Sequence, residues 1–176
     1  MAAALEVRAE FAASLLDGGK AVELRAYELP AAFVGEAMGG AAAARARRER
    51  VGPSNHLPPP PPGPRVYLLA THGPPGVPAL GESFPEGADG RASLVGWVAF
   101  AASRPYPTPD ALAADEGLHG VPPGSPYGWA EGGERHGWVV GETGRVEPPA
   151  PPPAGVRVHR SLYRLERDPE GGEGGG

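Results

Sequence analysis

Leu15-Leu16-Asp17-Gly18-Gly19-Lys20-Ala21-Val22-Glu23-Leu24-Arg25 is the stretch on which the reading of this chain turns. Phe11 with Leu15, and Ala12 with Leu16, are spaced by four, which predicts a short helix over residues 10–17. Gly18 and Gly19 supply positions able to adopt a positive φ, and so stop it. Val22 and Leu24 then alternate with Glu23 and Arg25, the period of a strand, and Pro30 ends that pairing. A strand that only fills a core has no use for a lysine, a glutamate and an arginine gathered in one place.

The flanks carry further strands. Leu5-Glu6-Val7-Arg8-Ala9 alternates apolar and charged residues, as a half-buried strand does. Val66-Tyr67-Leu68-Leu69-Ala70 is a continuous apolar run, the pattern of a buried strand. Residues 93–102 form another such run, Trp138-Val139-Val140 a shorter one, and Val156-Arg157-Val158-His159 alternates again. In residues 160–165, Leu162 and Leu165 have helical spacing but follow valines with strand spacing, and a strand with a break is the favoured reading. Several short strands, one early helix and long loops predict an α+β fold or small barrel.

Of 176 residues, 28 are glycine and 24 proline, and they are concentrated rather than spread. The expected organisation is one domain over residues 1–168, with 35–64 a disordered Ala/Arg- and Pro-rich insertion and 169–176 a disordered Gly-rich tail. The absence of cysteine excludes disulfides, thiolate metal sites and cysteine nucleophiles. A net charge of −5 argues against a long footprint on duplex DNA, though a small basic pocket remains compatible with it. No apolar run reaches the length of a membrane span and no signal peptide is visible, so the expectation is an intracellular chain that does not bind membranes.

The chain resembles the ASCH domains, small PUA-like barrels associated with RNA binding. The family signature is a helix ending in glycine, then lysine, then glutamate and arginine at alternating positions, and Gly19-Lys20-Ala21-Val22-Glu23-Leu24-Arg25 matches it. The later order fits as well: an apolar strand over residues 65–70, the glycine-containing Leu94-Val95-Gly96-Trp97-Val98-Ala99-Phe100, and Gly137-Trp138-Val139-Val140 running on to Pro148-Pro149. The likeness covers most of residues 5–165 outside the insertion. It implies an α+β, PUA-like β-barrel of ASCH type with a short N-terminal helix, long loops and a cleft beside the signature. Some bacterial relatives deaminate or deacylate modified nucleosides with the signature lysine, a threonine three residues later and a downstream carboxylate. Carried onto this chain, the lysine is Lys20 and the carboxylate Asp115 or Glu116, while the threonine position holds Glu23.

The residue types have their own chemistry. Alternate strand residues share a face roughly 6.5–7 Å apart, so Glu23 and Arg25 point together, away from the core that takes Val22 and Leu24. A charged Lys20 holds a phosphate or carbonyl oxygen, and a desolvated one acts as a base or nucleophile. Arg25 presents a planar fork suited to phosphate or a base edge, and Glu23 accepts from an exocyclic amine or orients Lys20. The plainer reading is a structural ion pair. Asp115, Glu116 and His119 fall on one helical turn, but with no second ligand pair at a recognisable spacing no metal is assigned. His72 reads as a loop residue and Trp97 as core. Tyr127 and Trp129, after Pro122-Pro123-Gly124-Ser125-Pro126, either stack on a base or pin the proline-rich loop. Arg45, Arg47, Arg48 and Arg50 form a basic patch, and Arg157, His159, Arg160 and Arg164 can add cations near the cleft.

The expected function is binding of RNA or a nucleotide-like ligand by Lys20, Glu23, Arg25, Tyr127 and Trp129, without a cofactor. The alternative is a metal-independent amidohydrolase or ribonuclease acting on modified nucleosides or RNA, with Lys20, Glu23 and Glu116 catalytic. A third reading is an interaction adaptor using the polyproline run at residues 58–62.

Overall fold

In a computed structural model, which describes residues 2–33, 63–74, 77–131 and 133–170, strand β1 (Ala2–Arg8) runs directly into helix α1 (Ala9–Leu16) and, past the glycine turn, into β2 (Val22–Arg25). There follow β3 (Arg65–Thr71), β4 (Ser83–Phe84), β5 (Ala92–Tyr106), two short helices α2 (Pro109–Ala114) and α3 (Glu116–His119), then β6 (Arg135–Ala150), β7 (Gly155–His159) and β8 (Leu162–Leu165). The strands form one sheet in the order β2-β6-β5-β3-β1-β8-β7-β4. Among the described residues only β1 and β3 pair in parallel, and the other pairs are antiparallel. The fold is β-rich with few helices, and its ladder is open, ending at β2 and β4.

Burial on both faces explains the continuous apolar run of β3. Val66, Leu68 and Ala70 join Leu5, Val7, Leu15, Phe100 and Trp138 in one core beneath α1. Tyr67 and Leu69 turn the other way, to Ala4, Leu80, Phe84, Tyr163 and Leu165. Two central strands with apolar residues of both parities are what a two-sided core requires.

Two details differ from the sequence reading, and the expected break in the last strand is found. Gly18 alone stops α1 with a left-handed φ of +75°, and Gly19 lies outside that region. The runs at residues 93–102 and 138–140 are the middle of β5 and the head of β6, a long hairpin of 15 and 16 residues. The second half of β6 is largely exposed, so no apolar period marked it. The break between β7 and β8 is a turn in which Arg160 adopts a φ of +47°. Of the expected insertion at 35–64, residues 35–62 with its arginines and polyproline run, and of the expected tail at 169–176, residues 171–176, lie outside the described residues.

Gly96 marks the closest approach of α1 to the sheet. A Cβ there meets the Gly144 carbonyl and comes within 2.8 Å of Leu16 Cδ2, while one at Gly144 lies 2.5 Å from the Trp97 ring. Both positions therefore exclude any side chain. Gly96→Ala is expected to lower the unfolding free energy by about 1–3 kcal/mol, as overpacking does, and chemical denaturation measures it.

Candidate functional site at the seam of the sheet

The turn after α1 fixes the signature residues. The Lys20 amide donates to Ser14 O at 3.1 Å, folding the chain back over the last helical turn. Ala21 is then held from both sides: its amide donates to Leu118 O at 2.9 Å and its carbonyl accepts from the Val140 amide at 2.9 Å. The ammonium of Lys20 comes to rest 4.6 Å from the centre of the Phe11 ring.

Lys20, Glu23 and Arg25 form one ionic triad. Lys20 Nζ lies 2.7 Å from Glu23 Oε2, and Arg25 Nη2 lies 2.7 Å from Glu23 Oε1. Glu23 and Arg25 do share a face, but that face is not open to solvent. Lys20 and Glu23 are each only 3% exposed, because α1 with Phe11 covers that side of the turn. Burial pushes the Glu23 carboxyl up, yet the charges of Lys20 and Arg25 and their hydrogen bonds outweigh it and hold the group below its ordinary value.

Arg25 also spans the gap between β2 and β1, which are not ladder neighbours. Its Nη2 donates to Glu6 O at 3.2 Å and its Nη1 to Ser161 Oγ at 3.0 Å. The Tyr27 hydroxyl lies 2.8 Å from the same Ser161 Oγ. The guanidinium sits 5.8 Å from the Trp138 ring. The Trp138 indole donates to Tyr27 O at 3.1 Å, closing the cluster.

This seam opens into a cleft of about 200 Å³. Its floor is Lys20, Glu23, Leu24 and Arg25 from β2 and its turn, facing Glu6, Val7 and Arg8 from β1. Phe11, Val121 and Tyr127 form one wall, and Pro74, Val77 and Pro78 another. Phe11 and Tyr127 meet edge to face at 5.2 Å, and the Tyr127 hydroxyl is buried beside Arg8. Arg8 at the rim is tied to Glu10 and to the Gly73 carbonyl.

Glu6 is a residue the sequence reading passed over. In an alternating strand its charge signalled only a solvent face, yet it is 7% exposed. Its Oε1 accepts from the amides of Ala79 at 2.6 Å and Leu80 at 3.4 Å, and its Oε2 from the Tyr163 hydroxyl at 3.1 Å. It thereby holds the segment that carries Val77 and Pro78 against the cleft. Burial, reinforced by the Glu6 charge, pushes the Tyr163 phenol up to about 12.

The remaining candidates lie elsewhere. Glu116 is exposed on α3 and, like Trp129, does not line the cleft. Asp115 turns to Arg104 and to the Tyr106 hydroxyl at 2.8 Å. His119 is buried among backbone groups, its Nε2 2.9 Å from Leu112 O and its Nδ1 accepting from the Val121 amide at 3.0 Å. Both ring nitrogens are therefore engaged, and the turn of Asp115, Glu116 and His119 brings no shared site together. No cluster of potential metal ligands occurs among the described residues. His72 is exposed.

Glu23→Gln leaves the buried Lys20 ammonium without its counter-charge, and a loss of about 3–5 kcal/mol of stability is expected. Because the folded pKa of Glu23 is lowered, its contribution is present above the ordinary value of 4.5 and is lost as pH falls through the lower folded value. The variant's stability is accordingly expected to vary less with pH below about 4.5 than that of the wild type, as urea denaturation across pH 2–6 measures.

No protein-family model matches the chain, and a comparison with curated proteins finds no significant match.

Proposed function

We propose that the chain is an ASCH-type, PUA-like domain whose cleft binds RNA or a nucleotide-like ligand. In this reading the seam between β1 and β2 is the mouth of a pseudo-barrel that side chains close in place of a backbone ladder. The observation that carries it is a buried Lys20–Glu23–Arg25 triad opening on a cleft with an aromatic wall of Phe11 and Tyr127. Arg8, Lys20 and Arg25 line it against Glu6 and Glu23, a small cationic excess on a chain of net charge −5. That balance suits one base with one or two phosphates rather than a duplex.

Single-stranded RNA is expected to bind with a shallow salt dependence, a log–log slope of about −0.7 per contacted phosphate. Tyr127→Ala is expected to weaken binding by about tenfold through lost stacking. Fluorescence anisotropy with a labelled oligonucleotide reads both, and absence of binding at low salt overturns the proposal.

The Lys20–Glu23 contact of 2.7 Å at the cleft floor favours one second reading, hydrolysis of an acylated nucleoside. There Lys20 polarises the amide carbonyl, Glu23 relays the proton from attacking water, and the C–N bond breaks as the amine leaves. Turnover of N4-acylated cytidine that disappears in Lys20→Ala is the expected result, and no turnover across a panel of acylated nucleosides removes this reading.

A further inference from the structure

The cleft runs along two strand edges rather than across a sheet face. Glu23, Leu24 and Arg25 of β2 all line it, as do Glu6, Val7 and Arg8 of β1. Side chains of successive strand residues point to opposite faces, so a cavity touching all three in a row lies in the plane of the strand, beside its backbone. The ladder register states which backbone groups turn that way. The Val140 amide bonds to Ala21 O at 2.9 Å, which makes Ala21 and Val140 a hydrogen-bonded pair. In the register Val22↔Val139, Glu23↔Trp138, Leu24↔Gly137, Arg25↔His136, the pairs that bond across the ladder are then Glu23 with Trp138 and Arg25 with His136. The alternation turns the amide and carbonyl of Leu24 away from β6. β2 ends the strand order, and no loop or cap bond among the described residues uses either group.

Leu24 is half-buried, so its backbone shows one donor and one acceptor, side by side, into the cleft. A buried backbone group without a partner costs free energy that a bound ligand recovers. The complementary ligand edge is an adjacent acceptor and donor in one plane. Every nucleobase carries this on its Watson–Crick edge: N3–H beside a carbonyl in uracil, N1–H beside O6 in guanine, and a ring nitrogen beside an amino group in adenine and cytosine. The cavity of about 200 Å³ is smaller than the sites that take drug-sized ligands, which limits the occupant to one ring system. Phe11 and Tyr127 supply an aromatic wall for it.

We propose that the outer edge of β2 at Leu24 reads the Watson–Crick edge of a single unpaired base, so that the site rejects bases that are paired or methylated on that edge. This rests on the nucleotide-site reading of the cleft. The site then discriminates single-stranded from double-stranded nucleic acid through two main-chain atoms, and side-chain identity at position 24 matters little.

The test is titration calorimetry of the full chain with the four ribonucleoside 5′-monophosphates. Each is compared with its derivative methylated on the Watson–Crick edge, at N3 of the pyrimidines or N1 of the purines. 5-Methyluridine monophosphate serves as a control of equal size. The edge-methylated compounds are expected to bind at least about tenfold more weakly than their parents, with 5-methyluridine monophosphate within about threefold of uridine monophosphate. Equal affinity of parents and edge-methylated derivatives overturns the edge contact and leaves the nucleotide site standing. Failure of all the monophosphates to bind overturns the nucleotide site itself, and the edge contact with it. Leu24→Ala keeps both backbone groups and is expected to retain the discrimination. Leu24→Pro removes the donor at an edge position where proline is tolerated and is expected to lose it. Should the proline variant fail to fold, the ligand series alone decides.

Discussion

The guanidinium of Arg25 is the contact on which the rest of this architecture depends. It binds the Glu23 carboxylate on its own strand, the Glu6 carbonyl on β1 and the Ser161 hydroxyl in the turn before β8. Those partners come from three separate parts of the chain. β2 and β1 share no ladder, and between them stands one side chain with five donors in a rigid fork. The cleft lies beside it. Glu23 is the shared counter-charge of the seam: removing it leaves the covered Lys20 and the Arg25 guanidinium without their carboxylate partner.

The cleft and the core are thereby built from the same residues. Trp138 belongs to the core beneath α1, yet it also faces Arg25 and caps Tyr27. Phe11 packs on that core from α1 while its ring carries the Lys20 ammonium. Glu6 does the same from the other side, anchoring the 79–80 amides to β1. Charged groups at the seam thus contribute to the fold through the geometry they impose.

Much of this was legible in the sequence. The period of four in residues 11–16 and the apolar run at 66–70 reflect burial, on one face of α1 and on both faces of β3, while residues 22–25 follow strand parity without following burial, so helix α1, strand β2 and strand β3 were readable. The shared face of Glu23 and Arg25 was readable too, since strand parity is local, but parity does not fix the direction of Lys20 at the turn. What was not legible depends on distant partners. Nothing local tells a solvent-facing glutamate at position 6 from one that meets the amides of Ala79 and Leu80. The exposed half of β6 has no apolar period because β5 alone pairs with it there. The turn of Asp115, Glu116 and His119 had suggestive spacing, but Arg104, Tyr106 and the Leu112 carbonyl claim two of the three.

The pairing of β1 sets the order in which this molecule can assemble. Ala2 lies opposite Leu165, and Leu5 opposite Leu162, so one edge of β1 is covered only when a strand more than 150 residues away docks. Until then β1 is paired with β3 alone, and the backbone of that edge is unsatisfied. Closing so long a loop is entropically slow. Ser161, which orients Arg25, arrives in that same final step. The ionic seam at Arg25 is therefore complete only once the turn between β7 and β8 has docked against β1 and β2, so local folding of residues 20–25 alone does not build it.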